Sequence, residues 1–120
     1  MQRFAAVFCA LLSLVPAAAV AGSAPSAALP PAGEGRRLFL ALNCYSCHGM
    51  YAAGAMGPNI VGAERGDVSE AVLQGEDGGM PSFRAYVDNT DIDNLTAYLQ
   101  SIGGPNEPVF MDWWKRIPPK

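Results

Sequence analysis

Five consecutive residues, Cys44-Tyr45-Ser46-Cys47-His48, restrict what this chain can fold into more than any other feature. Of the three cysteines, Cys9 lies in an apolar N-terminal run and the other two belong to these five; His48 is the sole histidine. A zinc site would need two further nitrogen or sulfur ligands, and the sequence has none to offer. A thioredoxin-like redox pair would follow a strand inside a βαβ pattern, and none surrounds it. Two cysteines in an exported protein would ordinarily suggest a disulfide. The histidine directly after them gives the pair another use.

The spacing is C-x-x-C-H, the attachment signature of c-type haem. Two thiols add across the two vinyl groups of one porphyrin, and the adjacent histidine comes under the ring to bind the iron axially. Cys44 and Cys47 are therefore the expected thioether residues and His48 an axial ligand, with one covalent haem c and its iron as cofactor. A single histidine rules out bis-histidine coordination within the chain. Methionine, a lysine-type nitrogen, water or nothing remains for the second axial position. Met50 is too close to His48 to cross the ring; Met56 would need a wide loop; Met111 lies in the tail. Met80 sits in Gly78-Gly79-Met80-Pro81-Ser82-Phe83, where paired glycines let the backbone approach a flat ring and Pro81 stiffens the exit. Met80 is the expected ligand, the alternative being a methionine that fills a core gap.

Residues 1–21 have the build of a secretory signal peptide. Arg3 supplies a basic start, 4–15 is apolar, and Ala17-Ala18-Ala19-Val20-Ala21 offers an A-x-A-like cleavage site. The apolar core is shorter than the roughly 20 residues of a membrane-spanning helix. Cleavage is expected after Ala21, with Ala24 second and an uncleaved anchor as the alternative. Cys9 sits inside the apolar run rather than after it, which disfavours a lipid anchor. The expected location is the periplasm. Residues 22–32 form an Ala/Pro/Ser-rich lead-in, 33–104 the folded domain and 105–120 a Pro/Trp-rich extension. A body of this size is small for an unaided core, so a large apolar cofactor within it makes physical sense.

Three segments read as helices. Residues 34–43 place Leu38, Phe39 and Leu42 on an apolar face. Residues 68–74 follow Asp67 as cap, with Glu70 as capping-box partner and Gly75 as stop. Residues 91–102 repeat Ile92, Leu95, Leu99 and Ile102 at helical spacing behind Thr90 as cap, and Gly103-Gly104-Pro105 ends the element. Glycine and proline fill the intervening loops, and no strand pattern appears. The expected class is all-α, with long loops that wrap something.

The strings C-Y-S-C-H-G, G-P-N-I-V-G (57–62), G-G-M-P-S-F (78–83) and N-L-T-A-Y-L (94–99) stand in this order, and over 33–102 the chain resembles the class I bacterial cytochromes c. The resemblance implies a small fold of about three main helices around one haem, the first and last crossing near its edge. Phe39 and Tyr98 match the aromatic positions of that crossing. It also implies that the Pro58 carbonyl accepts a hydrogen bond from the other ring nitrogen of His48, fixing its tautomer. A closed His/Met iron leaves no place for substrate, so the implied role is periplasmic carriage of single electrons rather than catalysis; haem catalysis or gas sensing would need an open position. The expected partners are a redox donor and acceptor: a dehydrogenase or quinol-oxidising complex on one side and a terminal oxidase, in a membrane-associated respiratory complex, on the other. The alternative is a fixed haem subunit of a sulfur-oxidising or alcohol dehydrogenase type enzyme. The two readings make the domain a free monomer or a subunit of a complex. Without the signal, seven basic and eleven acidic side chains remain, a formal charge of −4. No basic stripe exists for nucleic acid, and an acidic surface suits a partner with a basic face. The tail carries Phe110, Met111, Trp113 and Trp114; it is expected to fold back on the domain, an exposed docking anchor being the alternative. Arg65, Arg84 and Tyr86 are candidates to meet the propionates.

Overall fold

The computed structural model describes residues 28–111. The expected signal segment with Cys9, residues 22–27 of the expected lead-in, and Trp113 and Trp114 lie outside the described residues. Among the described residues four helices follow one another: α1 (Pro31–Ala41), α2 (Tyr45–His48), α3 (Arg65–Gln74) and α4 (Asn89–Ser101). Among the described residues there is no strand, only an isolated bridge between Glu76 and Met80.

The helix ends have local causes, and most of them differ from the sequence reading. Helix α1 starts at Pro31, three residues ahead of the expected position, because proline suits a first turn whose N–H groups have no helical partner. It ends at Ala41 rather than 43, and Asn43 then takes a left-handed φ of 61° that turns the chain into α2. Helix α3 begins at Arg65, so Asp67 lies within its first turn instead of capping it; the actual cap, Glu64, accepts no backbone bond through its side chain. Gly75 does stop the helix, with φ 79° and its N–H bonded to the Ala71 carbonyl at 2.8 Å. For α4 the cap is Asp88 and not Thr90. Asp88, Asn89 and Thr90 are all capable caps; Asp91 decides among them. Its N–H donates to Asp88 Oδ1 at 2.9 Å, and its own carboxylate accepts from the Asp88 N–H at 3.1 Å. Only a cap three residues ahead can close that reciprocal box.

The core lies where α1 and α4 cross, with α3 packed more lightly against α4. Leu38, Phe39 and Leu40 from α1 meet Ile92, Leu95, Tyr98 and Leu99 from α4; Val68 and Val72 of α3 join them. The Phe39 and Tyr98 rings stand 5.4 Å apart at 57°, a tilted geometry that aromatic pairs favour. Gly35 sets how closely the helices approach. A Cβ there would lie 1.9 Å from the Asn94 carbonyl oxygen and 2.7 Å from Tyr98 Cβ, so the crossing excludes every other residue at that position. Across the surface, Arg65 at the start of α3 pairs with Asp93 of α4.

Candidate haem-attachment site

The candidate attachment turn is hung directly from the end of α1. The Cys44 N–H donates to the Phe39 carbonyl at 3.0 Å, and His48 N–H to the Cys44 carbonyl at 3.0 Å. Within one helical turn, residues three and four apart share a face, which puts Cys47 and His48 on the same side as Cys44. This single turn, α2, was absent from the sequence reading because four residues are too few to show a period. Gly49, at φ 77°, releases the chain from the helix.

The loop after it returns to the histidine. Gly54 N–H bonds the His48 carbonyl at 2.9 Å, and Gly57 N–H the Cys47 carbonyl at 2.8 Å. Further on, Ile60 N–H bonds the Ala52 carbonyl and Gly62 N–H the Leu99 carbonyl of α4, each at 2.9 Å. This lacing brings Pro58 to the imidazole. His48 Nδ1 lies 2.9 Å from the Pro58 carbonyl oxygen. A carbonyl can only accept, so Nδ1 carries the proton and Nε2 keeps a free lone pair. His48 is buried. Gly57 lines the ring so tightly that a Cβ on it would stand 3.1 Å from both Cε1 and Nδ1.

The two thiols differ. Cys47 is exposed, whereas Cys44 is half-buried, and both are free. Burial pushes the Cys44 thiol up from 9.0 to about 11, opposed by a backbone hydrogen bond and reinforced by the neighbouring Cys47. As a free thiol it is therefore protonated at neutral pH.

Met80 sits on a loop held against the end of α3. Glu76 N–H bonds the Met80 carbonyl at 2.9 Å, Ser82 Oγ donates to the Leu73 carbonyl at 2.7 Å, and Phe83 N–H to the Val72 carbonyl at 2.8 Å. A Cβ at Gly75 would come within 2.6 Å of the Met80 carbonyl oxygen, so this glycine both ends α3 and admits the returning loop. Met80 packs against the core, as does Met50, whereas Met56 is 85% exposed. Met111 has its sulfur 3.5 Å from Arg36 Nη2. Of the propionate candidates, Arg65 is engaged by Asp93, and Arg84 and Tyr86 are exposed.

Two residues escaped the sequence reading. Gly35 was hidden inside a helix where glycine is ordinarily a cost; its only signal was that very misfit. Arg36 is 1% exposed, although arginine is among the residues least often buried. A basic side chain next to the Leu38 and Phe39 face could have prompted the question of what it meets.

The residues present fit one covalent haem: two free thiols on a single turn, and a buried imidazole whose free nitrogen is set by a carbonyl. Comparison with known proteins agrees. The helical architecture is that of the small c-type cytochromes: cytochrome cL from Hyphomicrobium denitrificans superposes with a TM-score of 0.51 at 22% identity, over 60% of this chain and 49% of that one. A model of the family described as cytochrome C oxidase, cbb3-type, subunit III matches residues 30–99, and the chain belongs to this family of cytochrome c domains. It is 32% identical over 82 residues to the cbb3-type cytochrome c oxidase subunit FixP of Bradyrhizobium sp. (strain ORS 278), covering 61% of this chain and 28% of that protein. It is 32% identical over 94 residues to the cbb3-type cytochrome c oxidase subunit CcoP of Cereibacter sphaeroides, covering 71% and 31%. The chain thus spans about three tenths of the length of these curated relatives. Haem c with its iron is the cofactor of such domains, and of this one.

Proposed function

We propose that this domain moves single electrons between redox proteins, with Cys44 and Cys47 as its thioether residues and His48 and Met80 as its axial ligands. The observation that carries the reading is the 2.9 Å contact between His48 Nδ1 and the Pro58 carbonyl, which leaves Nε2 as the only metal-binding nitrogen of the ring. Bound haem supplies a one-electron Fe(III)/Fe(II) couple. The chain's own residues do the rest. Pro58 and Gly57 hold the imidazole in one orientation, the bonds donated by Ser82 and Phe83 to the Leu73 and Val72 carbonyls hold the Met80 loop, and the apolar α1–α4 core excludes water. Rigid ligands suit a carrier because they need little rearrangement when the charge changes. A thioether ligand and apolar burial both favour Fe(II) and so a raised potential.

The path runs from a dehydrogenase or quinol-oxidising complex towards a terminal oxidase, in the periplasm after removal of 1–21. The domain begins near 33, behind the 22–32 lead-in, and 105–120 forms an extension. With both axial positions filled, the domain has no catalytic activity of its own. A second reading, a fixed haem subunit of a larger respiratory assembly, draws on the relatives FixP and CcoP, which are oxidase subunits. Among the described residues no helix is long and apolar enough to cross a membrane.

The test is the mass and ferric spectrum of the native protein, beside Met80→Ala. The reading expects a gain of one haem, a mature start after Ala21, and loss in Met80→Ala of the red-end band of methionine-ligated Fe(III), with a lower midpoint. An unaltered spectrum and midpoint in Met80→Ala would reject the ligand. Size-exclusion of native extract separates a carrier that runs alone from a subunit that co-elutes with a large partner.

A further inference from the structure

We infer that residues 107–111 are a strap fastened by Arg36, and that through Tyr98 and Phe39 the same side chain positions the start of the attachment turn. Arg36 is almost wholly buried. Removing a guanidinium from water is costly unless its N–H groups find partners. Here they divide between two elements. Nε donates to the Phe110 carbonyl at 2.7 Å, and Nη1 to the Tyr98 hydroxyl at 2.7 Å. The guanidinium carbon also lies 5.6 Å from the Tyr98 ring centre and 5.9 Å from that of Phe110, within reach of cation–π attraction on both. Among the described residues no buried side-chain nitrogen or oxygen lacks a partner.

The strap has a second fastening. The Gly103 N–H donates to the Glu107 carboxylate at 2.8 Å, which folds the chain back beyond the end of α4. From Arg36 the contacts continue inward: Tyr98 packs on Phe39, and the Phe39 carbonyl accepts from the Cys44 N–H. Every link is a direct contact between buried or half-buried groups, and the chain of them ends at the first attachment cysteine. A planar fork that donates along two separate directions is particular to arginine; lysine offers a point charge on a flexible stem. Arg36 is a positioning residue and touches neither thiol.

Amide hydrogen exchange on the full-length holoprotein tests this, comparing wild type with Arg36→Met and Arg36→Lys well below their melting temperatures. Exchange in 105–111 should accelerate about tenfold in both, the loss of roughly 1.4 kcal/mol of local stability. The Cys44 amide should accelerate in the same variants, with a changed Soret circular dichroism, while 75–83 keeps its wild-type rate. Failure of lysine to rescue distinguishes the fork from the charge. If Arg36→Met yields no holoprotein, Tyr98→Phe replaces it, keeping the ring on Phe39 and removing one acceptor; a smaller acceleration in the same two segments is expected. Wild-type exchange in 105–111 of a folded variant would overturn the strap. Faster exchange there with an unchanged Cys44 amide would overturn the positioning role. The inference rests on Cys44 as an attachment residue; should that be wrong, the wild-type mass would lack haem whatever the exchange rates.

Discussion

Gly57 stands where a methyl group would press on two atoms of the His48 ring at 3.1 Å, a distance that forces the imidazole to shift by a few tenths of an ångström. Because the ring is also tied to Pro58, it cannot move without lengthening the bond that fixes its tautomer. Gly57→Ala should therefore destabilise the holoprotein by about 1 kcal/mol and shift the midpoint potential, read by thermal melting and optical redox titration. An unmoved potential would mean that the ring has room to turn. At this scale the proposed attachment residues could be named from the string alone, because chemistry ties C-x-x-C-H to one use. Pro58 was legible only through resemblance. Nothing in a linear string says that a carbonyl ten residues away reaches a ring nitrogen. Arg36 was not legible, since its burial depends on a strap seventy-odd residues further along.

At the scale of helices, two glycines and one cap do most to position the frame. Gly35→Ala would drive a methyl group to within 1.9 Å of the Asn94 carbonyl oxygen, a backbone atom with no flexible side chain to yield. The expected loss is about 3 kcal/mol or more, measured by denaturant unfolding. A near-neutral result would show that the α1–α4 crossing can slide. Asp88→Ala removes the cap of α4 and one half of its box with Asp91. A loss of about 1 kcal/mol is expected, whereas Thr90→Ala should change stability by only a few tenths. The reverse ranking would restore Thr90 as cap. Helix existence was readable from apolar periodicity for α1 and α4, and from the Gly75 stop for α3. Their starts were misplaced because several adjacent residues could cap, and the choice falls to partners that close a box or to a proline that tolerates the first turn.

For the molecule as a whole, the Tyr98 phenol reports on how the core and the strap are joined. Burial pushes its ionisation above the ordinary 10.0; Arg36, by charge and hydrogen bond, pulls it down, while Glu107 and Tyr51 push it up. The folded state thus holds the proton more tightly than the unfolded chain. Stability from this group is complete below about pH 10 and declines as the pH rises from there through the folded value. Melting of the holoprotein from pH 8 to 11 should fall more steeply for wild type than for Tyr98→Phe, which has no proton to lose. Parallel curves would mean that Tyr98 ionises as freely folded as unfolded.

The sequence alone determined the cofactor chemistry, the all-helical class and the order of the three longer helices, because these follow from local spacing and periodicity. Only the tertiary structure decided how near α1 comes to α4 at Gly35, where the returning Met80 loop passes Gly75, and how Arg36 ties 107–111 into the core. The physical reason is common to all three. Each depends on groups separated in the chain meeting within about 3 Å, a distance at which sterics and hydrogen bonding act but sequence patterns carry no trace.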